Sequence, residues 1–109
     1  MVATSDELLR VAFERCGSTL VVRLVGELDL STAPGVPDAV VGRVDSGIRR
    51  VTLDLTSVAY CDSSGVSAML TLHRDLGERG ITVIARRPPR NVRRVLELTG
   101  VTAVLEVTD

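Results

Sequence analysis

The hydrophobic period changes repeatedly along this 109-residue chain. Apolar and polar residues alternate in the segments 8–15 and 20–25, which is the period of a half-buried β-strand. From residue 31 onward, segments of helical period alternate with short apolar segments typical of buried strands. This order predicts an antiparallel hairpin followed by parallel crossovers in one sheet. The expected fold is therefore α/β, with a mixed, mostly parallel sheet.

Turn and capping residues divide the pattern into a hairpin and six further elements, with helices after the second, third and fourth strands. The expected elements are a helix capped by Ser31 or Thr32 and ending near Val44, a strand over 51–55 with an apolar path to Cys61, a helix from Ser63 or Ser64 to Gly80, a strand over 81–85, a helix from Pro88-Pro89 to Gly100, and a strand over 101–107. Pro37 conflicts with a cap at Thr32, so the first helix is expected to start near Val36 or to have a distorted first turn.

Charge and composition argue against several classes of partner. The net charge is -1, all 13 basic residues are arginine and only 2% of residues are aromatic, so nothing favours direct binding of nucleic acid. No apolar run reaches the length of about 18 residues that a membrane span needs. The first residues lack the basic and apolar segments of a secretory signal, which predicts a cytoplasmic protein. Cys16 and Cys61 fit neither a disulfide framework nor a zinc site, so no metal is expected.

Two polar clusters follow predicted strands, at residues 27–32 and 61–65. In open α/β sheets, ligand sites lie at the carboxyl ends of strands. The second cluster, Asp62-Ser63-Ser64-Gly65, leads directly into a predicted helix. Helix capping explains Asp and Ser there on local grounds. The same helix N-terminus presents free N–H groups and partial positive charge, so it is also suited to a phosphate on Ser63 or Ser64.

Four segments together resemble a STAS domain, and more narrowly the bacterial anti-sigma factor antagonists. The resemblance extends from about residue 8 to 107, which predicts an N-terminal tail over 1–7 and a STAS domain over 8–109. The segments are Gly26-Glu27-Leu28-Asp29, the strand Val51 to Leu55, Tyr60-Cys61-Asp62-Ser63-Ser64-Gly65, and the stretch from Arg93 to Val101, a basic helix that ends in a glycine turn.

The resemblance implies a phosphorylation switch. Such proteins bind an anti-sigma factor serine kinase and so free a sigma factor for transcription; phosphorylation ends the binding, and a phosphoserine phosphatase restores it. The implied acceptor is Ser64, with Ser63 as the alternative, and the kinase supplies ATP and magnesium. Asp29 and Asp62 would contact the partner or orient the acceptor, on a surface that includes Gly65. The resemblance leaves open a second role, as an accessory or scaffold subunit of a stress-signalling assembly or membrane transport complex.

Enzymatic alternatives lack their required groups. A serine hydrolase needs a base beside its nucleophile, and the one histidine, His73, follows Ser64 by nine residues in the same predicted helix. That spacing separates the two by about 13 Å. The chain contains no lysine and hence no P-loop. We therefore expect a binding protein without cofactors of its own, rather than an enzyme.

Three other features of the sequence have simpler interpretations. The arginine cluster at 86–94 is best read as a solvated helix face, with an acidic protein partner as the next option. Structural roles are expected for both cysteines, with Cys16 exposed and Cys61 buried. Pro34, Gly35 and Pro37 depart from the family pattern beside Asp29. The chain stops at Asp109, short of the closing helix of many relatives, so an uncovered sheet face and weak homodimerisation are expected.

Overall fold

A computed structural model describes residues 2–5, by backbone alone, and residues 8–109. Its strands form one sheet in chain order, and helices follow the third, fourth and fifth strands. The elements are β1 (Val2–Ser5), β2 (Leu9–Cys16), β3 (Thr19–Leu28), α1 (Val36–Val41), β4 (Arg50–Cys61), α2 (Ser63–Gly77), β5 (Thr82–Arg86), α3 (Arg90–Leu98) and β6 (Glu106–Thr108). A 3-10 turn precedes α1 at Ala33–Gly35, and another precedes β6 at Val101–Ala103.

The strand pairing confirms the predicted mixed sheet. β2 pairs antiparallel with β3 through the two-residue turn between Cys16 and Thr19. The pairs β3–β4, β4–β5 and β5–β6 are parallel. The strands β3 and β4 end together at Leu28 and Cys61, so the loops after them emerge side by side, whereas β5 ends at Arg86 opposite Asp54, seven residues before β4 ends.

One aliphatic core joins the sheet to the helices. The inward side chains of the central strands, such as Val22, Leu53 and Ala85, are fully buried. They belong to the same cluster as buried residues of all three helices. The opposite side of the sheet carries a charged cluster, in which Asp54 on β4 lies between the guanidinium groups of Arg23 and Arg86 at 3.8 and 3.3 Å. Burial alternates along β2, whereas β3, β4 and β5 each contain three consecutive buried residues, at 20–22, 51–53 and 83–85.

Both expected features of the first helix are present, a start near Val36 and a distorted first turn. The α-helix begins at Val36, and a distorted 3-10 turn precedes it. Thr32 holds the N-cap position of that turn, but its side chain makes no capping hydrogen bond. The helix also ends at Val41, before the predicted Val44. Pro34 suits a first helical turn, but Pro37 lacks the N–H that a regular helix starting from Thr32 would use, which accounts for the irregular start.

The prediction of a strand over 101–107 is wrong in its first half. Gly100 has φ +77° and turns the chain into the 3-10 turn at Val101–Ala103. Val101 and Leu105 are both buried, and the N–H of Leu105 donates to the Val101 carbonyl at 2.8 Å. This four-residue spacing is that of a helical turn, so only the last residues extend as β6.

The predicted N-terminal tail over 1–7 lies partly outside the described residues. Within it, the backbone of Val2–Ser5 pairs antiparallel with β2 as an edge strand. The alternation used for the other strands gave no sign of this one.

Gly26 permits a close backbone approach at the end of β3. Its φ is +125°, and a Cβ there would lie 2.0 Å from the Leu8 carbonyl oxygen. The next residue, Glu27, donates its N–H to the same oxygen at 2.8 Å. Any side chain at Gly26 would therefore strain the backbone and displace the start of β2 from β3.

We expect Gly26→Ala to lower the free energy of unfolding by about 2–4 kcal/mol, because it combines an unfavourable φ with a backbone clash. Urea unfolding followed by circular dichroism measures the loss. Gly77→Ala is the matched control, since nothing lies within 4 Å of its Cβ position. That variant should leave stability unchanged or raise it by up to about 1 kcal/mol. Equal stability of the two variants would contradict the role given to Gly26.

Candidate functional site

The predicted site residues come together where β3 and β4 end. Leu28 and Cys61 are partners in the parallel register, and the N–H of Asp62 donates to the Leu28 carbonyl at 3.1 Å. The next residues along the two strands, Asp29 and Asp62, therefore begin neighbouring loops. This is the sheet edge at which α/β proteins place their functional groups.

Asp62 caps the helix that carries the two serines. Its backbone is extended, and its carboxylate accepts a hydrogen bond from the N–H of Ser64 at 2.8 Å. The helix α2 therefore starts at Ser63, the first of the two predicted positions. An Asp in this position also complements the partial positive charge of the helix N-terminus.

The two serine side chains occupy the first turn of α2. Ser63 is exposed and Ser64 is half-buried. Neither hydroxyl has a hydrogen-bond partner within residues 8–109. Because the carboxylate of Asp62 already performs the capping, both hydroxyls remain available to a reactant from outside the chain.

Gly65 lets the first turn of α2 lie directly on the end of β3. A Cβ at this position would lie 2.6 Å from the Cys61 sulfur and 2.9 Å from Leu28 Cβ. The glycine is therefore required by packing and is itself buried. Burial, together with the charge of Asp62, raises the pKa of the Cys61 thiol to about 11. Cys61 is thus a buried neutral thiol, and Cys16 is exposed, as expected.

Asp29 organises the loop on the β3 side. Its carboxylate accepts hydrogen bonds from the Ser31 hydroxyl at 2.9 Å and from the Ser31 and Thr32 N–H groups at 3.0 and 3.1 Å. These bonds, that of the Ser31 hydroxyl first, lower the pKa of Asp29. The Asp29 N–H in turn donates to Thr32 Oγ1 at 3.0 Å. Asp29 is therefore the residue that caps this turn.

Thr32 holds the predicted N-cap position, but its side chain closes the Asp29 loop instead of capping the helix. Its hydroxyl donates to the Glu27 carbonyl at 2.7 Å and so closes the loop onto the end of β3. The side chain of each of Asp29 and Thr32 accepts a hydrogen bond from the backbone N–H of the other. This is the pattern of a capping box, with the acidic residue first and the hydroxyl residue three positions later. The Asp-x-x-Thr spacing was the available signal.

A shallow groove of about 380 Å³ runs beside the serines. It separates the proline-rich start of the first helix from one face of α2, and Ser64 opens into it while Ser63 does not line it. The residues that line it are Pro34, Pro37, Asp38, Ser64, Ser67, Ala68 and Thr71. The two prolines, which depart from the family pattern, thus form one wall of a groove that contains the predicted phosphoacceptor.

The described residues place no histidine, metal site or membrane span beside the serines. His73 is half-buried on α2 and lines a separate depression with Val83 and Val104, so it does not face the serines. Among the described residues, no group of three His, Cys, Asp or Glu side chains is placed to hold a metal ion. None of the helices formed by those residues has the length and apolar character required to cross a membrane.

The order of elements and the Asp-Ser-Ser-Gly helix start agree with a known family. A profile described as "Mlab, STAS domain" matches residues 11–106. The chain belongs to the STAS domain family. Curated relatives of this STAS domain include an anti-sigma-B factor antagonist of Listeria monocytogenes, 30% identical over 95 residues, which are 86% of this chain and 82% of the relative.

Two further comparisons give the same group of proteins. An anti-sigma F factor antagonist of Paenibacillus polymyxa is 30% identical over 108 residues and spans 93% of this STAS domain and 87% of the relative. A solved anti-sigma factor antagonist from Mycobacterium paratuberculosis is 27% identical, with a TM-score of 0.78 over 97% of this chain and 90% of that one. The relatives named here are thus regulatory binding proteins of matching length and fold.

Two substitutions at Asp62 distinguish the stabilising effect of its capping hydrogen bond from that of its negative charge. Asp62→Ala should lower the free energy of unfolding by about 0.5–2 kcal/mol, because the N–H of Ser64 loses its acceptor. Asp62→Asn should cost much less, since asparagine caps about as well as aspartate. Thermal unfolding of both variants gives the comparison. Equal losses for alanine and asparagine would show that Asp62 acts through its charge and not as a cap.

Proposed function

We propose that this protein is an anti-sigma factor antagonist controlled by serine phosphorylation. In the unmodified state it binds an anti-sigma factor serine kinase in the cytoplasm and so releases a sigma factor for transcription. The kinase phosphorylates the antagonist and the complex separates, and a phosphoserine phosphatase restores the binding form. In this cycle the protein is a substrate and a ligand, and has no catalytic activity.

The observation that carries this proposal is the state of the two serines. They begin a 15-residue helix at the sheet edge, are reachable from solvent, and are not used for capping. Burial of both hydroxyls would have excluded a phosphorylation switch. The relatives' names, at 30% identity over nearly the whole chain, favour this function over an accessory role in membrane transport.

Ser64 is the proposed acceptor, and Ser63 is the alternative. In the transfer, the serine oxygen attacks the γ-phosphorus of ATP, the bond to the β-phosphate oxygen breaks and ADP leaves, while the hydroxyl proton passes to a base of the kinase. The kinase supplies ATP and magnesium. Since Ser64 lines the groove, a phosphoryl group on it would occupy the space beside Asp38 and the two prolines.

The modified state is expected to keep its fold. A phosphoserine carries a charge of about -1.5 to -2 at neutral pH, and a helix N-terminus favours negative charge. The effect falls instead on the partner. Asp29 and Asp62 lie beside the serines, so the phosphate creates a strongly acidic surface that a closely docked protein must desolvate. Loss of binding therefore needs no refolding of the antagonist.

Phosphate incorporation tests the acceptor assignment. The wild-type chain is incubated with labelled ATP and each purified anti-sigma factor kinase of the same organism, and the label is mapped by mass spectrometry. With the kinase that labels wild type, Ser64→Ala should abolish incorporation and Ser63→Ala should retain it, because only Ser64 carries the acceptor oxygen.

Ser67→Ala is a matched control, since Ser67 lines the same groove one turn further along α2. Loss of label in Ser63→Ala alone would move the acceptor to Ser63. Undiminished label in the Ser63→Ala/Ser64→Ala double variant would overturn the proposed site.

A further inference from the structure

The five arginines between residues 86 and 94 fall into two groups. Arg86 donates to the Asp54 carboxylate at 3.3 Å, and Arg93 donates to Asp109 at 2.5 Å. These two are therefore engaged within the chain. The other three are exposed and have no ion-pair partner within residues 8–109; we call them the arginine face, and they are Arg87, Arg90 and Arg94.

The first turn of α3, which carries Arg90, lies against the segment of β4 that leads to the serines. The parallel pairing of β4 with β5 ends at Asp54 and Arg86, seven residues before β4 ends at Cys61, so Arg87 emerges beside the middle of β4 and α3 continues from there towards the serines. The side chain of Asn91 in the first turn of α3 donates to the Ala59 carbonyl at 2.9 Å. Ala59 precedes Ser63 by four residues, and the intervening Tyr60 is 48% exposed. A protein covering the serines from this side therefore meets Tyr60 and then the arginine face.

Stability of the helix α3 does not explain these arginines. The helix packs through Val92 and Leu96, which are fully buried on its other side. Its first turn contains no acidic residue, so Arg90 adds positive charge where the helix already has partial positive charge. Glu97 is the acidic side chain that shares the surface of α3 with Arg90 and Arg94, and it forms no ion pair with them. Arg90 is thus unfavourable for the helix itself, and Arg94 gains no ion pair within residues 8–109.

We propose that the arginine face binds an acidic surface of the same kinase that docks on the serines. This inference rests on the proposed function and adds to it a second, electrostatic contact. Arg and Tyr are among the side chains enriched at the residues that carry most of the binding energy in protein interfaces. The partner's acidic surface would lie opposite α3 while its active site lies opposite the start of α2.

Charge across this region favours a protein over a nucleic acid or lipid surface. The carboxylates of Asp29 and Asp62 lie on one side of Tyr60 and the arginine face lies on the other. A uniform polyanion covering the region would meet both signs, whereas a folded protein presents a matching pattern of charges. The net charge of -1 and the 2% aromatic content also give no general affinity for nucleic acid.

Association kinetics with the kinase that labels the wild-type chain test this contact. The variant Arg90→Glu/Arg94→Glu should lower the association rate constant by about tenfold or more at low salt, because attraction becomes repulsion. The difference from wild type should shrink as salt is raised to about 1 M, where charges are screened within about 3 Å. The matched control is Arg49→Glu/Arg50→Glu, which makes the same change of net charge at the opposite edge of the sheet.

Several outcomes would overturn the inference. Equal slowing of the control and test variants would reduce the effect to net charge. Equal rates for the test variant and wild type would remove the contact altogether. If circular dichroism shows that the Glu variant does not fold, Arg90→Gln/Arg94→Gln replaces it. This variant removes the positive charges without reversing them, so its association rate constant should lie between those expected for wild type and for the Glu variant. The face would be assigned to another ligand by two results together. The wild-type chain would bind a random 20-base-pair duplex or phosphatidylglycerol vesicles through these arginines, and the arginine variants would bind the kinase as well as wild type does.

The proposed function fails in a different way. If no kinase of the organism binds or labels the wild-type chain, the antagonist function is contradicted, and the arginine contact with it. If a kinase binds wild type and the arginine variants alike, only the arginine contact is contradicted.

Discussion

The contact between the end of β3 and the first turn of α2 determines the rest of the site. Asp62 joins the two through its N–H bond to the Leu28 carbonyl, and Gly65 leaves room for the Cys61 sulfur and for Leu28. In the first turn of this helix Ser63 is exposed, and Ser64 is half-buried and lines the groove. The packing of this first turn against the sheet thus sets where the two serines lie.

This arrangement separates structural and chemical tasks among adjacent residues. Asp62 supplies the cap, Gly65 the close packing and Cys61 a buried neutral thiol, while the two hydroxyls remain outside the internal hydrogen bonds. A group added to either serine therefore disrupts no bond that the fold uses. The neighbouring Asp29 loop is held by its own hydrogen bonds, so a change of charge at the serines would be presented on a rigid surface.

Hydrophobic periodicity and capping residues predicted most of the fold and the position of the serines from the sequence. The hairpin, the parallel order and the start of α2 followed from apolar spacing and from Asp-Ser-Ser-Gly, since these signals are local. The turn at Val101–Ala103 was predicted as a strand, because a short apolar segment fits either structure until Leu105 is seen to pack four residues after Val101.

Contacts between distant segments could not be predicted in this way. The approach of Gly26 to Leu8, the pairing of Arg86 with Asp54 and the bond from Asn91 to Ala59 depend on tertiary placement. Those contacts decide which arginines are engaged within the chain and which remain for a partner. The composition of the 86–94 segment alone had favoured a simply solvated helix face.

The central claim is that a phosphate on Ser64 weakens partner binding without refolding the antagonist. The direct measurement is the dissociation constant of the kinase complex for unmodified and phosphoserine-64 chains, with amide hydrogen exchange of α2 recorded on both. We expect the phosphorylated chain to bind about a hundredfold more weakly or worse, since placing like charges together costs several kcal/mol at an interface. Exchange protection of α2 should be the same in both forms. Equal dissociation constants, or an α2 that loses its protection on phosphorylation, would contradict the account.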